Sequence, residues 1–212
     1  MVFTRYPAAG RTKTRLIPAL GAAGATELAR RLIAHTLAQA ASLARQRPVD
    51  VEVWFDGGDE RTLAACFGQA LAYRQQAGAD LGARMLHAFE RALAHDACGR
   101  ALLIGTDCPS RSAALMGSAF EALARCDLVL GPARDGGYYL IGLKRPIPDL
   151  FHGITWGTSA VRAETVAIAE RLGLAIAELP MLDDIDRPED LAHLPPHLAI
   201  AVDPLAGPRP HD

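Results

Sequence analysis

Ala101-Leu102-Leu103-Ile104, running straight into Gly105-Thr106-Asp107-Cys108-Pro109-Ser110, reads as a buried strand that ends in a ligand-facing turn. Four apolar residues in a row leave the strand no polar face, which suits a parallel sheet covered by helices on both sides. The Gly, Pro and Ser that follow stop it. Helical spacing appears on either side. Leu81, Met85, Phe89, Ala92 and Leu93 mark one face of a helix from Asp80 to His95, and Ser112 to Ala124 reads as the next helix.

The same alternation continues outward. Upstream, Leu28, Leu32, Thr36, Leu37 and Ala40 recur on one face of a helix from Gly24 to about Arg45. Val51 to Phe55 is a strand closed by the turn cluster Asp56-Gly57-Gly58, followed by a short helix, Glu60 to Cys66, and a strand, Leu71 to Arg74. Downstream lie strands at Asp127 to Gly131, Tyr138 to Leu143 and Ala175 to Leu179. A helix capped by Thr158 or Ser159 runs to about Leu172, and a last helix has Asp186 as N-cap and Glu189 at the third position. At the start, Met1-Val2-Phe3 gives only three apolar residues, short against the ~5 to 6 of a usual strand. The pattern predicts an α/β fold of three layers, a mostly parallel sheet with helices on both faces. One domain is expected over 1–202, with a disordered, proline-bearing tail over 203–212.

Composition excludes several classes. The chain has 212 residues, 50% of them hydrophobic, so it carries enough apolar material for a core and is neither disordered nor a disulfide-stapled miniprotein. With 22 basic and 24 acidic residues the net charge is −2, which provides no general attraction to nucleic acid or to an anionic membrane. No apolar run approaches the ~18 to 20 residues of a membrane span, and a cytoplasmic location is expected. Only Lys13 and Lys144 are lysines, and asparagine is absent. The four cysteines form no C-x-x-C pair and have no histidine at zinc spacing, so reduced structural thiols are expected. Cys108 is not expected to be a nucleophile, since no sequence-near histidine lowers its pKa.

In open α/β sheets ligands gather beyond the carboxyl ends of the strands. Three such places carry chemistry. The loop Thr4 to Leu16 holds Arg5, Gly10, Arg11, Lys13 and Arg15, residues that either cradle a phosphate or form a solvated basic loop; its spacing is not that of a Walker loop. Asp107, at the mouth of the apolar strand, is either a Mg²⁺ or Mn²⁺ ligand or a turn aspartate before Pro109. In Asp183-Asp184-Ile185-Asp186, an extended chain puts Asp184 and Asp186 on one side, where a bound cation would relieve their repulsion. Asp135-Gly136-Gly137-Tyr138-Tyr139 reads as a hairpin turn or, because Gly131-Pro132 already provides turn residues, as a loop shaped around a ligand. Trp156 is expected to pack.

Taken in order, these segments resemble a bacterial glycosyltransferase-like family, of the radical-SAM/selenodomain-associated and arsenosugar-biosynthesis type, within the nucleotide-diphospho-sugar transferase (GT-A) superfamily. The matching motifs are Phe3-x-Arg5-x-Pro7-x-x-Gly10-x-x-Lys13-Thr14-Arg15-Leu16, Asp80-Leu81-Gly82-x-Arg84-Met85 and Gly105-Thr106-Asp107-x-Pro109. To these add Gly131-Pro132-x-x-Asp135-Gly136-Gly137-Tyr138-Tyr139 and Asp184-Ile185-Asp186-x-Pro188-Glu189-Asp190-Leu191. The resemblance implies a Rossmann-like GT-A fold and Mg²⁺ or Mn²⁺ on Asp107, with Asp186 as a second ligand; the alternation of the acidic segment adds Asp184 as a further candidate ligand. It implies that Arg5, Gly10, Lys13 and Arg15 face the phosphates and that Asp80, Gly82 and Arg84 face the base or ribose. Asp135 would orient or deprotonate an acceptor hydroxyl, with Gly136, Gly137 and Tyr138 on the substrate side. Two departures stand out: Arg111 replaces the usual leucine and is expected to be exposed, and Gly78-Ala79-Asp80 stands where Gly-Gly-Asp is common.

The resulting expectation is a metal-dependent glycosyltransferase taking a nucleotide-diphospho-sugar and a small-molecule acceptor. The alternative is a nucleotidyltransferase moving NMP from an NTP to a small phosphorylated acceptor. A non-catalytic nucleotide sensor is a third reading. Neither nucleic acid nor membrane is an expected partner, and homodimerisation is left open.

Overall fold

The computed structural model describes residues 1–94 and 99–200. Cys98, the expected helix end at His95 and the expected tail over 203–212 lie outside the described residues. The strands are β1 (Val2–Arg5), β2 (Glu52–Asp56), β3 (Ala72–Gln75), β4 (Ala101–Ile104), β5 (Leu128–Pro132), β6 (Tyr138–Leu143) and β7 (Ile176–Glu178). The α-helices are α1 (Ile17–Gln46), α2 (Glu60–Phe67), α3 (Leu81–Ala92), α4 (Ala113–Ala122) and α5 (Val161–Arg171). No helix among the described residues is long and apolar enough to cross a membrane.

The strands form one sheet in the order β3-β2-β1-β4-β6-β5-β7, and every pairing is parallel except those of β6 with β4 and β5. Alternation along β4 explains its apolar run. Leu102 and Ile104 point into a layer with Ile33, Leu37, Leu63, Met116 and Leu123, beneath α1, α2 and α4. Ala101 and Leu103 point the other way, into a layer with Met85, Phe89, Val161 and Ile168 of α3 and α5. Each face therefore demands apolar side chains, and no polar position is left on the strand.

The connection from β1 leads to β2 on one side, while β4 lies on the other, so the strand order reverses between β1 and β4. A crevice opens at the carboxyl end of the sheet at such a reversal. A third apolar cluster of Leu16, Ala25, Leu28, Leu32, Ile185 and Leu198 ties the C-terminal segment to α1 beside this crevice.

Several local expectations need correction. β1 reaches Arg5 because Thr4 and Arg5 still pair with Phe55 and Asp56, although only Val2 pairs with β4. The first helix begins at Ile17 and breaks at Gly21, whose φ of 68° no other residue type adopts readily, before the apolar periodicity takes over. The N-cap of α5 is Ala160; Thr158 instead accepts the Ala160 N–H at 3.3 Å. Asp186 is not the N-cap of an α-helix. Residues Pro188–His193 form a 3₁₀ helix capped at Arg187, which Pro188 holds extended. The capping carboxylate is Asp190, which accepts the N–H groups of Asp186 and Arg187 at 2.9 and 2.7 Å and leaves the Asp186 side chain free for the crevice.

Candidate active site

The loop after β1 is closed on itself: Thr12 donates its hydroxyl to the Tyr6 carbonyl and accepts the Ala8 N–H, both at 3.1 Å. Gly10 takes a positive φ of 72° at the loop's outer turn, with open space around it. Next comes Lys13, the one non-glycine residue with positive φ among those described (φ 51°, ψ 43°). This left-handed turn, unfavourable for a side-chain-bearing residue, sends the lysine inward. Its side chain is 5% exposed, and Nζ lies 2.8 Å from Asp107 Oδ1, 3.8 Å from Asp186 Oδ1 and 2.6 Å from the Ile185 carbonyl oxygen. Arg15 remains exposed and meets Asp186 Oδ2 at 2.5 Å.

Asp107 sits in the turn after β4, and its backbone carbonyl accepts the Ile185 N–H at 2.8 Å. The turn is held from below by Arg111, which overturns the expectation that this residue is exposed: it has no exposed surface. Its Nη1 donates to the Gly105 carbonyl at 2.8 Å and its Nη2 to Thr36 Oγ1 of α1 at 3.0 Å, while Nε has no partner. Burial draws its pKa down to about 10, still high enough for a charged guanidinium at neutral pH. His35, also on α1, reaches the Pro109 carbonyl at 2.9 Å. α1 thus grips the acid-bearing turn through two side chains.

The three neighbouring aspartates have separate surroundings. Asp183 turns out to Arg134 at 2.5 Å, which lowers its pKa. Ile185 is fully buried in the cluster on α1. Asp184 keeps some solvent contact, yet its carboxyl is enclosed. Burial first, and then the charges of Asp107 and Asp135, push its pKa up to about 7 against the pull of Lys13. Asp184 and Asp186 thus line the cleft together and Ile185 points away, as the extended-chain alternation implies, but Asp183 lines the cleft as well, drawn there by Arg134.

Asp135 lies in the five-residue connection between β5 and β6, which is a hairpin, so that reading of its sequence holds. Its Oδ1 accepts the Gly137 N–H at 2.9 Å. Gly136 has φ 93°, and a Cβ there would lie 2.1 Å from the Ser159 carbonyl oxygen; its own carbonyl accepts the Arg162 N–H at 3.0 Å. The hairpin tip is thus pressed against the start of α5. Tyr138 buries its hydroxyl next to Thr165 of α5.

These loops enclose a cleft of about 760 Å³. Its lining includes apolar Phe3, Leu81, Met85, Leu103, Tyr138 and Trp156 and charged Arg15, Arg134, Asp135, Asp183, Asp184 and Asp186. Another hollow of about 770 Å³ opens beside Met1, Val51 and Leu102 at the amino end of the sheet, away from all these loops. Of the expected site residues, Arg5, Gly10, Lys13, Asp80, Gly82, Arg84, Asp107 and Gly136 lie outside the cleft lining, Lys13 and Asp107 behind Asp186 at its edge. Arg5 and Arg84 both reach Asp56 Oδ2, at 3.4 and 3.2 Å. Asp80 caps α3 by accepting the Ala83 N–H at 2.8 Å. Gly82 lets α3 approach its neighbours, since a Cβ would stand 2.4 Å from the Phe151 carbonyl and 2.7 Å from Trp156 Nε1. Trp156 therefore packs, as expected, and also lines the cleft. Burial and the Asp184 charge push the Cys108 thiol up to about 12, which rules it out as a thiolate nucleophile at neutral pH. Among the described residues no three or more His, Cys, Asp or Glu side chains form a ready metal cage.

The family pattern of DUF2064, described as an uncharacterized protein conserved in bacteria, matches residues 36–158. The chain belongs to this family. Among solved structures, it is 36% identical to a candidate nucleotide-diphospho-sugar transferase from Desulfovibrio desulfuricans G20, with a TM-score of 0.81 over 88% of this chain and 80% of that one. The fold extends to more distant proteins. A 4-diphosphocytidyl-2C-methyl-D-erythritol synthase from Anaerococcus prevotii matches at 12% identity and TM-score 0.56, covering 91% and 94% of the two chains. A CMP:2-keto-3-deoxy-manno-octonic acid synthetase complexed with CTP matches at 11% and 0.51, covering 91% and 94%. The sequence matches no curated protein. The DUF2064 chain thus has the Rossmann-like fold of GT-A and nucleotidyltransferase proteins, with β6 reversed in its sheet.

Proposed function

We propose that this DUF2064 protein is an enzyme, a metal-dependent glycosyltransferase that takes a nucleotide-diphospho-sugar donor. The observation that carries this reading is the meeting of Lys13 with Asp107 and Asp186 at the carboxyl end of β1 and β4. A single positive centre already satisfies carboxylates from two separate segments there. The likeness to the Desulfovibrio protein supports the donor class.

Asp107 and Asp186 would hold Mg²⁺ or Mn²⁺, with Asp184 close by. Two protein carboxylates fit these ions, which complete their shells with phosphate oxygens and water. The bound ion supplies charge neutralisation on the departing diphosphate. Lys13 and Arg15 place two fixed cations beside the same oxygens, where they stabilise the negative charge that builds up as the glycosidic bond breaks. Gly10 lets the loop backbone approach the diphosphate, and Arg5 and Arg84, which meet at Asp56, take the nucleotide end, while Asp80 and Gly82 serve it by capping and seating α3. Asp135 has one oxygen fixed by the Gly137 N–H and offers the other to an acceptor hydroxyl, which it orients or deprotonates. Gly136, Gly137 and Tyr138 shape that side of the cleft for a small-molecule acceptor.

A nucleotidyltransferase is the second reading. The same cations and carboxylates would serve a triphosphate attacked at its α-phosphorus, and the proteins of like fold include a synthetase complexed with CTP.

A thermal-shift series of nucleotide sugars and NTPs, with and without Mn²⁺, tests both. A ligand at ~100 times its Kd adds about 2.7 kcal/mol, which is easily seen. Slow release of free sugar from a stabilising nucleotide sugar supports glycosyl transfer; NTP-dependent pyrophosphate release supports nucleotidyl transfer. Binding with no turnover of either kind leaves the sensor. Asp107→Ala is expected to abolish the Mn²⁺-dependent part of the shift, and an unchanged shift removes the metal assignment.

A further inference from the structure

Outside the cleft lining, two histidines 162 residues apart in sequence meet: His35 of α1 and His197 of the short 3₁₀ turn Pro196–Leu198. His35 Nε2 faces the Pro109 carbonyl at 2.9 Å. A carbonyl only accepts, so Nε2 carries the proton and Nδ1 presents a bare lone pair. His197 Nε2 stands 3.3 Å from that lone pair, long against the ~2.9 to 3.0 Å of a usual N–H···O bond. The ring centroids are 5.2 Å apart, well beyond the nitrogen separation, so edges and not faces meet.

Both rings are held from behind. The Pro109 carbonyl orients His35 as backbone carbonyls orient metal-bound imidazoles. Next to His197, Leu198 is buried with Leu28 and Leu32 of α1, and the Ala199 carbonyl accepts Arg31. Burial first lowers the His35 pKa, against the Pro109 hydrogen bond and together with the charges of His197 and Arg111. The ring is thereby kept in the neutral form that a metal ligand needs.

We propose that His35 and His197 form a Zn²⁺ site that ties the C-terminal segment to α1. Two imidazole nitrogens ~2.0 to 2.1 Å from a tetrahedral Zn²⁺ stand ~3.3 to 3.4 Å apart, and the pair has that spacing. No net proton has to leave, because His197 moves its proton to Nδ1 and both rings stay neutral. His197 is exposed, so water completes the shell, and two ligands give an open site of moderate affinity. Imidazole suits Zn²⁺, whereas carboxylates suit Mn²⁺, so the ion preference differs from that of the aspartates around the cleft. The site is independent of the function proposed for that cleft.

The test is Zn²⁺ titration of the untagged full chain, by calorimetry and by competition with a chromogenic chelator. Wild type is compared with His35→Gln, His197→Gln and, as a control from the neighbouring 3₁₀ helix, His193→Gln. Glutamine keeps an N–H for the Pro109 carbonyl, and melts without metal establish that each variant is folded. Wild type and His193→Gln are expected to bind Zn²⁺ alike, and each pair variant at least about tenfold more weakly. A Zn²⁺-induced rise in Tm should require both histidines, and Mn²⁺ should give no pair-dependent rise. Asp107→Asn should leave the pair-dependent binding in place. Unchanged affinity in either pair variant, no Zn²⁺ uptake by wild type, or a loss that follows Asp107 instead of the histidines overturns the site.

Discussion

The backbone N–H of Ile185 donates to the carbonyl oxygen of Asp107 across 2.8 Å, joining the turn after β4 to the acidic segment 78 residues further on (185 − 107). The side chain of Ile185, fully buried against Leu16, Leu28, Leu32 and Leu198, holds this bond in place. Its truncation should loosen the core and spread the carboxylates at once. Ile185→Ala is expected to cost about 2 to 5 kcal/mol in urea denaturation and to weaken Mn²⁺-dependent nucleotide binding, whereas Leu198→Ala in the same cluster should cost stability with less effect on binding.

Arg111 should behave as a buried structural cation. Arg111→Ala leaves the Gly105 carbonyl and the Thr36 hydroxyl unpartnered around a void, and a loss of roughly 3 kcal/mol or more is expected. Arg111→Leu fills much of the void with apolar volume and should cost clearly less. Equal losses in chemical denaturation for the two variants would show that the hydrogen bonds alone matter.

Asp184 sets a pH dependence. Its pKa in the folded protein is pushed up to about 7, above the ~3.9 of an unfolded aspartate. The folded form therefore binds this proton more tightly. The resulting stability is fully present below about pH 4 and is lost progressively as pH rises toward 7. Without added cations, the melting temperature of wild type should fall between pH 5 and pH 8 by more than that of Asp184→Asn. Parallel curves would contradict it.

Gly136→Ala forces a Cβ to within 2.1 Å of the Ser159 carbonyl oxygen at a positive φ. The hairpin tip has to lift from α5, which moves Asp135. The expected result is a destabilisation of about 1 to 3 kcal/mol and, if Asp135 serves the acceptor, a larger loss of turnover than of donor affinity in steady-state kinetics.

Thiol reactivity should follow burial. Cys66 is exposed, whereas Cys108 and Cys126 are buried with raised pKa values. Iodoacetamide on the native protein at pH 8 is expected to modify Cys66 and to spare Cys108 and Cys126 until denaturant is added, as read by peptide mass mapping.

Periodicity made the layers legible. The apolar run of β4 and the heptad-like spacing in α1 and α3 each report a side-chain direction, and direction is what the core enforces. The strand-end aspartates were legible for the same reason, since the strands end where their apolar residues do. Partners were less so. The one signal of Arg111's burial is that it replaces a usual leucine; its charge argues for exposure like that of Arg100 at the other end of β4, and what decides is a threonine hydroxyl 75 residues away. The capping role of Asp190 was hidden by Asp186, which has an equally good local pattern and loses because Pro188 keeps Arg187 extended. The reversed direction of β6 was present in the Asp-Gly signal of the hairpin and obscured by the turn residues Gly131 and Pro132 before it.

That reversal couples the two halves of the cleft. Because β6 runs against both β4 and β5, the hairpin tip carrying Asp135 reaches the carboxyl edge between the turn after β4 and the acidic segment. The Tyr139 carbonyl accepts the Gly105 N–H at 3.2 Å, two residues before Asp107, and Arg134 donates its backbone N–H to the Leu182 carbonyl at 3.0 Å, next to Asp183. A change in the length of Ala133–Gly137 therefore pulls on both neighbours, so the hairpin and the two carboxylate-bearing segments are expected to vary together across the family rather than one at a time.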